Sequence, residues 1–134
     1  MFQQGEIQIC KYPAIFGHEG AGTVRAIGSK VRKKNLKVGD FVLLSINYCE
    51  ECKQCKAGHP ADCTEGTRLH LHGVRPTDQS TAAKLKKDGT DVRAHFFGQS
   101  SFAKTNYVQE TSIVKFEGNP EDAAKFAAVS TSFS

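Results

Sequence analysis

The hydrophobic pattern in the first third of the chain is one of short strands broken by turns. Ala21 to Ile27 alternates small and apolar residues and stops at Gly28-Ser29, a turn signal. Lys37-Val38-Gly39-Asp40 predicts a second tight turn, and the apolar run Phe41-Val42-Leu43-Leu44 behind it predicts a buried strand. Ile7 to Cys10 is a further strand candidate, with Cys10 read as a buried structural thiol. Glu51 to Ala57 has room for one or two helical turns before Gly58. From Thr64 to Arg93 the chain is polar, punctuated by Gly73, Pro76 and Gly89, with little periodicity. Long surface loops are expected there, with one hairpin around Lys87-Asp88-Gly89-Thr90. Strand-like stretches resume at Ser101 to Gln109 and Ser112 to Phe116, separated by Glu110-Thr111. Asn119-Pro120-Glu121-Asp122 reads as a helix start, with a cap, a proline at the first position and acids in the first turn. That helix is expected to run through Ala128.

Size and composition narrow this to one domain. The 134 residues allow a modest core, and 39% hydrophobic with 24% charged residues fits a soluble globular protein. No apolar run is long enough to span a bilayer, and no charged-then-apolar leader opens the chain. The expected setting is therefore cytoplasmic, with no membrane partner. The formal charge of +4 invites a nucleic-acid reading, yet the basic residues lie in short runs, Lys30 to Lys37 and Lys84 to Lys87. They form no stripe with interleaved aromatics, so solvated loop faces are expected and no nucleic acid.

Candidate chemistry changes the picture more. Cys49-x-x-Cys52-x-x-Cys55-x7-Cys63 places four thiols within fifteen residues. Zinc accepts four thiolates at the corners of a tetrahedron, and a closed shell of this kind holds structure while leaving no position for substrate. The competing readings are an iron–sulfur cluster and a pair of disulfides. A cluster usually brings further cysteines or a terminal Cys-Pro, whereas Thr64 follows Cys63 here. Disulfides suit a secreted mini-protein. A structural zinc on Cys49, Cys52, Cys55 and Cys63 is the expected occupant, and its binding takes the net charge from +4 to +2, as four protons leave and a dication arrives.

The second constellation is Pro13-Ala14-Ile15-Phe16-Gly17-His18-Glu19-Gly20-Ala21-Gly22-Thr23-Val24, a histidine beside a glutamate between glycines. Alone, such a pair is commoner on a solvated surface than on a metal. Its glycines lead into a β-like run, not a helix, which argues against a dinucleotide loop. Followed by Val38-Gly39-Asp40-x-Val42 and then the four cysteines, the order resembles the catalytic domain of zinc-dependent alcohol dehydrogenases, in the medium-chain dehydrogenase/reductase family. The likeness runs from Pro13 to Cys63, resumes at Phe96-Phe97-Gly98-Gln99-Ser100-Ser101-Phe102-Ala103 and continues through Val108 to Lys115. Val42-Leu43-Leu44-Ser45 is similar to the aryl-alcohol dehydrogenase branch.

The resemblance implies a mainly β (α+β) fold, a GroES-like partly open β-barrel with a zinc-binding lobe at 49–63 and a short C-terminal helix. It implies that His18 is a ligand of a separate catalytic zinc and that Glu19 is a catalytic acid beside that ion. Family members oxidise an alcohol held on zinc and pass hydride to NAD(P). The partner of the intact enzyme would be a small-molecule alcohol or aldehyde, with a homo-oligomer allowed. Phe96 and Ser45 fall where members line the substrate channel; a core aromatic and a strand-end polar residue are the plainer readings.

The likeness breaks at the other two catalytic ligands. The family takes one histidine and two cysteines, the first from a segment that would precede Met1. The second would fall in Ser130-Thr131-Ser132-Phe133, which puts Thr131 in its place. A neutral hydroxyl is a poor substitute for a thiolate on zinc. No Rossmann strand-turn-helix is present for the nicotinamide. The expectation is a catalytic domain incomplete at both ends, inactive by itself. The alternative is a non-catalytic zinc-binding interaction module derived from a dehydrogenase.

Overall fold

The computed structural model describes residues 10–128. Five strands lie within them: Gly20–Thr23 (β1), Phe41–Leu44 (β2), Ala83–Lys84 (β3), Asp91–Val92 (β4) and Ile113–Lys115 (β5). The apolar run Phe41–Leu44 takes the centre of a three-stranded antiparallel sheet in the order β1-β2-β5. Gly22 stands opposite Val42 and Leu43 opposite Val114. Beyond the strand ends, Val24 N–H donates to Asp40 O (2.9 Å), Ser45 N–H to Ser112 O (2.7 Å) and Phe116 N–H to Phe41 O (3.0 Å). Pairing on both edges and cover on both faces explain why the strand is apolar throughout.

Val42 and Leu44 point into a small core with Leu36, against which Val24, Ile27, Val108 and Ile113 pack. Each of the two buried strand side chains contributes roughly 2 kcal/mol of apolar burial. On the opposite face Phe41 meets Phe116 edge-on at 6.2 Å, and Phe116 in turn contacts Phe126 at 5.5 Å. Phe126 belongs to the helix Ala123–Ala127, which forms after Asn119 Oδ1 accepts the Glu121 N–H (3.1 Å) and Pro120–Asp122 makes a 3-10 turn. The start signal in the sequence is thus used as read.

β3 and β4 form a separate hairpin closed through residues 85–90, and Ala14 makes an isolated parallel bridge to Arg93. Sheet, hairpin and bridge do not close on one another among the described residues. The architecture is a mainly β, partly open barrel with short helices.

Three local expectations need correction. Ser101 to Gln109 forms no strand: only Ser101 and Phe102 bond the 16–17 backbone, and Phe102 points outward with 81% exposure. Its apolar residues do not share one buried face. The stretch Ala21 to Ile27 is strand only to Thr23, after which Val24 holds one further ladder bond. Finally, the polar segment after Cys63 contains a helix, Gly66–Leu71, that its composition hides. Gly66 and Thr67 are weak helix formers, and the helix is held by tertiary contacts: Leu69 is buried and His70 bonds to Asn47. The candidate strand before Cys10 lies outside the described residues, and Cys10 is buried against Gly73 and Arg93.

Candidate metal centre

The lobe starts where β2 ends. Cys49 and Cys52 lie on an extended turn, and Cys52 caps the helix Lys53–Lys56 (α1) by accepting from the Cys55 N–H. Gly58, at φ +84 in open space, reverses the chain after α1. A 3-10 turn at Pro60–Asp62 then returns it to Cys63, and Gly66–Leu71 (α2) follows. This fold-back is what a seven-residue spacer permits. The four sulfurs come within 4.8 Å of one another, and those of Cys49 and Cys55 are 3.9 Å apart.

A zinc ion at about 2.3 Å from four tetrahedral sulfurs needs them roughly 3.8 Å apart, so the quartet fits the ion. A disulfide would need a sulfur–sulfur separation of about 2.05 Å, and the Cys49–Cys55 separation is far from it. Backbone amides support the sulfurs: Cys52 N–H points at Cys49 Sγ (3.3 Å), Cys49 N–H at Cys63 Sγ (3.4 Å) and Cys55 N–H at Cys52 Sγ (3.5 Å). Such donors suit thiolate, not thiol. The thiols titrate apart. The amides of Cys55 and Thr64 bring Cys52 down to about 5. Partial burial, then the neighbouring Cys52 sulfur, push Cys55 up to about 12. Burial also raises Cys63. Four sulfurs this close cannot all carry charge unless a cation sits among them, and a divalent ion would bring every one to thiolate.

A salt-bridge bracket ties the lobe to the barrel. Glu50, at φ 62, bonds the Arg32 guanidinium, and Arg32 Nε donates to Glu110 Oε1 (3.0 Å). Glu110 Oε2 also accepts the backbone N–H groups of Arg32 (2.8 Å) and Lys33 (3.1 Å). A cavity of about 190 Å3 lies here, lined by Arg32, Lys33, Tyr48, Glu50, Glu110 and Thr111. No sequence pattern marked this bracket, because its members are 18 and 78 residues apart.

His18 and Glu19 are exposed at the turn into β1. The His18 ring lies 4.9 Å from that of Phe97, tilted by 36°. Among the described residues, Cys49, Cys52, Cys55 and Cys63 are the one group of three or more histidine, cysteine or acidic side chains able to converge on an ion. The described residues therefore do not supply a second zinc at His18 with a ligand set, and Thr131 lies outside them. The Gly17-His18-Glu19-Gly20 run feeds β1 and no helix N-terminus, so it does not fit a dinucleotide phosphate. Gly17 and Gly20 serve close packing instead: a Cβ on Gly17 would stand 2.5 Å from Ser101 Oγ, and one on Gly20 2.7 Å from Leu44 Cδ1.

Phe96 packs edge-on against Phe16 at 5.0 Å, and Ser45 sits at the end of β2 with its N–H on Ser112. Of two residues that sequence reasoning passed over, Phe97 stands beside His18 and His70 stands beside Phe97. Phe97 occupies the left-handed region (φ 52, ψ 26), and its ring lies flat on His70, 4.7 Å away and 9° from parallel. A histidine in a polar, aperiodic segment gave no signal; only the unforeseen α2 brings it here.

Comparison with known proteins accounts for the arrangement. The model of the alcohol dehydrogenase GroES-like domain matches residues 1–118. A geraniol dehydrogenase of Castellaniella defragrans is 42% identical over 103 residues, covering 77% of this chain and 26% of that protein. An S-(hydroxymethyl)glutathione dehydrogenase of Aspergillus oryzae is 39% identical over 104 residues, with the same two coverages. Among solved structures, an alcohol dehydrogenase zinc-binding domain protein from Burkholderia ambifaria superposes with a TM-score of 0.79 at 35% identity, over 90% of this chain and 31% of that one. The benzyl alcohol dehydrogenase of Acinetobacter calcoaceticus gives 0.68 at 37%, over 82% and 28%. The chain spans about a quarter of the length of the curated relatives it matches.

Proposed function

This chain belongs to the zinc alcohol dehydrogenase family through its GroES-like domain, and from that premise we propose that it is the zinc-bearing, substrate-side part of an alcohol–aldehyde oxidoreductase. The single observation that carries this is the sulfur quartet within 4.8 Å, placed at the end of the central strand in a chain of this family. A zinc ion held by Cys49, Cys52, Cys55 and Cys63 would supply cross-linking of a lobe that has almost no apolar core, and no reaction chemistry.

The proposed alcohol site is the surface carrying His18 and Glu19, with Phe96, Phe97 and Ser45 nearby. His18 offers an imidazole to a metal, and Glu19 places a carboxylate next to it. NAD(P) is the hydride acceptor in the proposed reaction, bound by residues other than those described. Two of the similar proteins are named for geraniol and benzyl alcohol and another for S-(hydroxymethyl)glutathione, and these are the first substrates to try. By itself the chain is expected to hold zinc and to turn nothing over.

The test is a segment exchange. Residues 13–115 replace the matching segment of the Burkholderia protein, and alcohol-dependent coenzyme reduction is assayed alongside zinc content. Retained turnover that His18→Ala abolishes, with the structural zinc kept, supports the reading. A folded chimera whose turnover survives His18→Ala refutes it.

A further inference from the structure

His70, which stacks on the Phe97 ring that in turn meets His18, is held at both roots of the cysteine lobe. α2 hangs from the lobe's last sulfur residue, since Gly66 N–H donates to Cys63 O (2.9 Å). His70, on that helix, donates from Nε2 to the carbonyl of Asn47 (2.7 Å), two residues before Cys49. Asn47 is itself buried, with Oδ1 accepting the Thr111 hydroxyl (2.5 Å). The imidazole of His70 therefore spans the start and the end of the metal-binding segment.

That ring is a platform. Phe97 lies flat on it at 4.7 Å, in a left-handed conformation (φ 52) that a residue bearing a Cβ adopts only where its surroundings hold it. Gly98 secures the same turn on the lobe's root: a Cβ there would stand 2.8 Å from that of Asn47. The far member of the row is His18, 4.9 Å from Phe97. His18 is exposed, and Phe97 is its one ring contact among the described residues. Phe97 is therefore the one ring among the described residues that can orient the imidazole by stacking.

We propose that His70 is a positioning residue, which relays the order of the four-cysteine lobe through Phe97 to the ring of His18. Metal loading of the lobe then fixes His18 even though the ion never touches it. The row His70–Phe97–His18 is continuous contact between two elements, and the lobe is the element with two arrangements, ordered with its ion and loosened without it. The inference rests on the reading of His18 as part of the alcohol site, but its geometry is testable without any turnover.

The experiment is NMR of the histidine rings in this chain, with His18 assigned through His18→Gln. In zinc-loaded protein the His18 ring protons are expected to be displaced by the Phe97 ring current, and Phe97→Leu removes that displacement. His70→Ala, with zinc content unchanged, is expected to move the His18 signals towards the Phe97→Leu position. His70→Phe, which keeps a flat ring beneath Phe97, brings them back. Chelating the zinc from the parent protein gives the His70→Ala position. Unmoved His18 signals in zinc-replete His70→Ala overturn the relay. Failure of the alcohol-site reading shows separately, as turnover surviving His18→Ala in the segment exchange, whatever the spectra report.

Discussion

Arg32 and Glu110, 78 residues apart, grip each other at two levels: Arg32 Nε donates to Oε1 at 3.0 Å, and the Arg32 backbone N–H donates to Oε2 at 2.8 Å. The carboxylate thus caps a turn as well as pairing with a guanidinium, and Lys33 N–H adds a third donor. The two partners are unequal. Arg32 is 67% exposed in its side chain and Glu110 only 15%.

Glu110→Ala is therefore expected to cost about 2 kcal/mol in urea unfolding, because two backbone donors lose a charged acceptor. Arg32→Ala is expected to cost much less, since an exposed guanidinium is screened by water. Equal losses would mean that the ion pair, and not the capping, holds this loop. Burial pushes the Glu110 carboxyl up, but the Arg32 and Lys33 donors outweigh it, and the group lies below its ordinary value. A carboxyl depressed in the folded state stabilises above its unfolded value, roughly pH 4.3, and that contribution fades as the pH falls through the folded value. Glu110→Gln is expected to flatten the stability profile below that point.

The cysteine quartet predicts one zinc per chain by metal analysis. Cys52→Ser removes the thiol that caps α1 and that the amides of Cys55 and Thr64 bring down to about 5. Zinc affinity should fall by orders of magnitude and the lobe should become protease-sensitive between Glu50 and Cys63, since structural zinc supplies folding energy. Unchanged zinc content and unchanged melting in this variant would remove the metal assignment.

His95 is 1% exposed, and neither ring nitrogen meets hydrogen-bond geometry, although the Tyr107 backbone lies close enough to act on the ring. Burial pushes it down to about 4; the Tyr107 backbone opposes this in part and the charge of Arg75 adds to it. The folded state thus keeps a neutral ring while the unfolded chain takes up a proton near pH 6.5. Stability present above pH 6.5 is lost as the pH falls to about 4, by a total on the order of 3 kcal/mol. His95→Phe should show a flatter profile across that window, whatever its stability at pH 7. An unchanged slope would place the acid sensitivity elsewhere.

Gly98 and Gly39 separate two costs of a side chain. Both have positive φ, +73 and +94, but a Cβ meets Asn47 at 2.8 Å from Gly98 and open space from Gly39. Gly39→Ala should cost about 1–2 kcal/mol, the backbone strain alone. Gly98→Ala adds a steric clash and should reach about 2–4 kcal/mol in thermal or urea melts. Similar values for both would show that Asn47 yields freely.

Much of the frame follows from local chemistry that neighbours in sequence can express. Phe41–Leu44 had to be a covered strand because four apolar side chains in a row leave no face for water. Cys49, Cys52, Cys55 and Cys63 can meet because two-residue spacers and one short loop let the chain fold back on itself, and four thiolates share one ion at that spacing. Asn119-Pro120 starts a helix by satisfying its own backbone. What the tertiary structure alone decided are the contacts between distant segments: α2, whose sequence favours no helix but whose Leu69 and His70 find partners; the Arg32 bracket; and the ring row from His70 to His18. Their energies depend on burial and on groups dozens of residues away, and a residue pattern read along the chain carries neither.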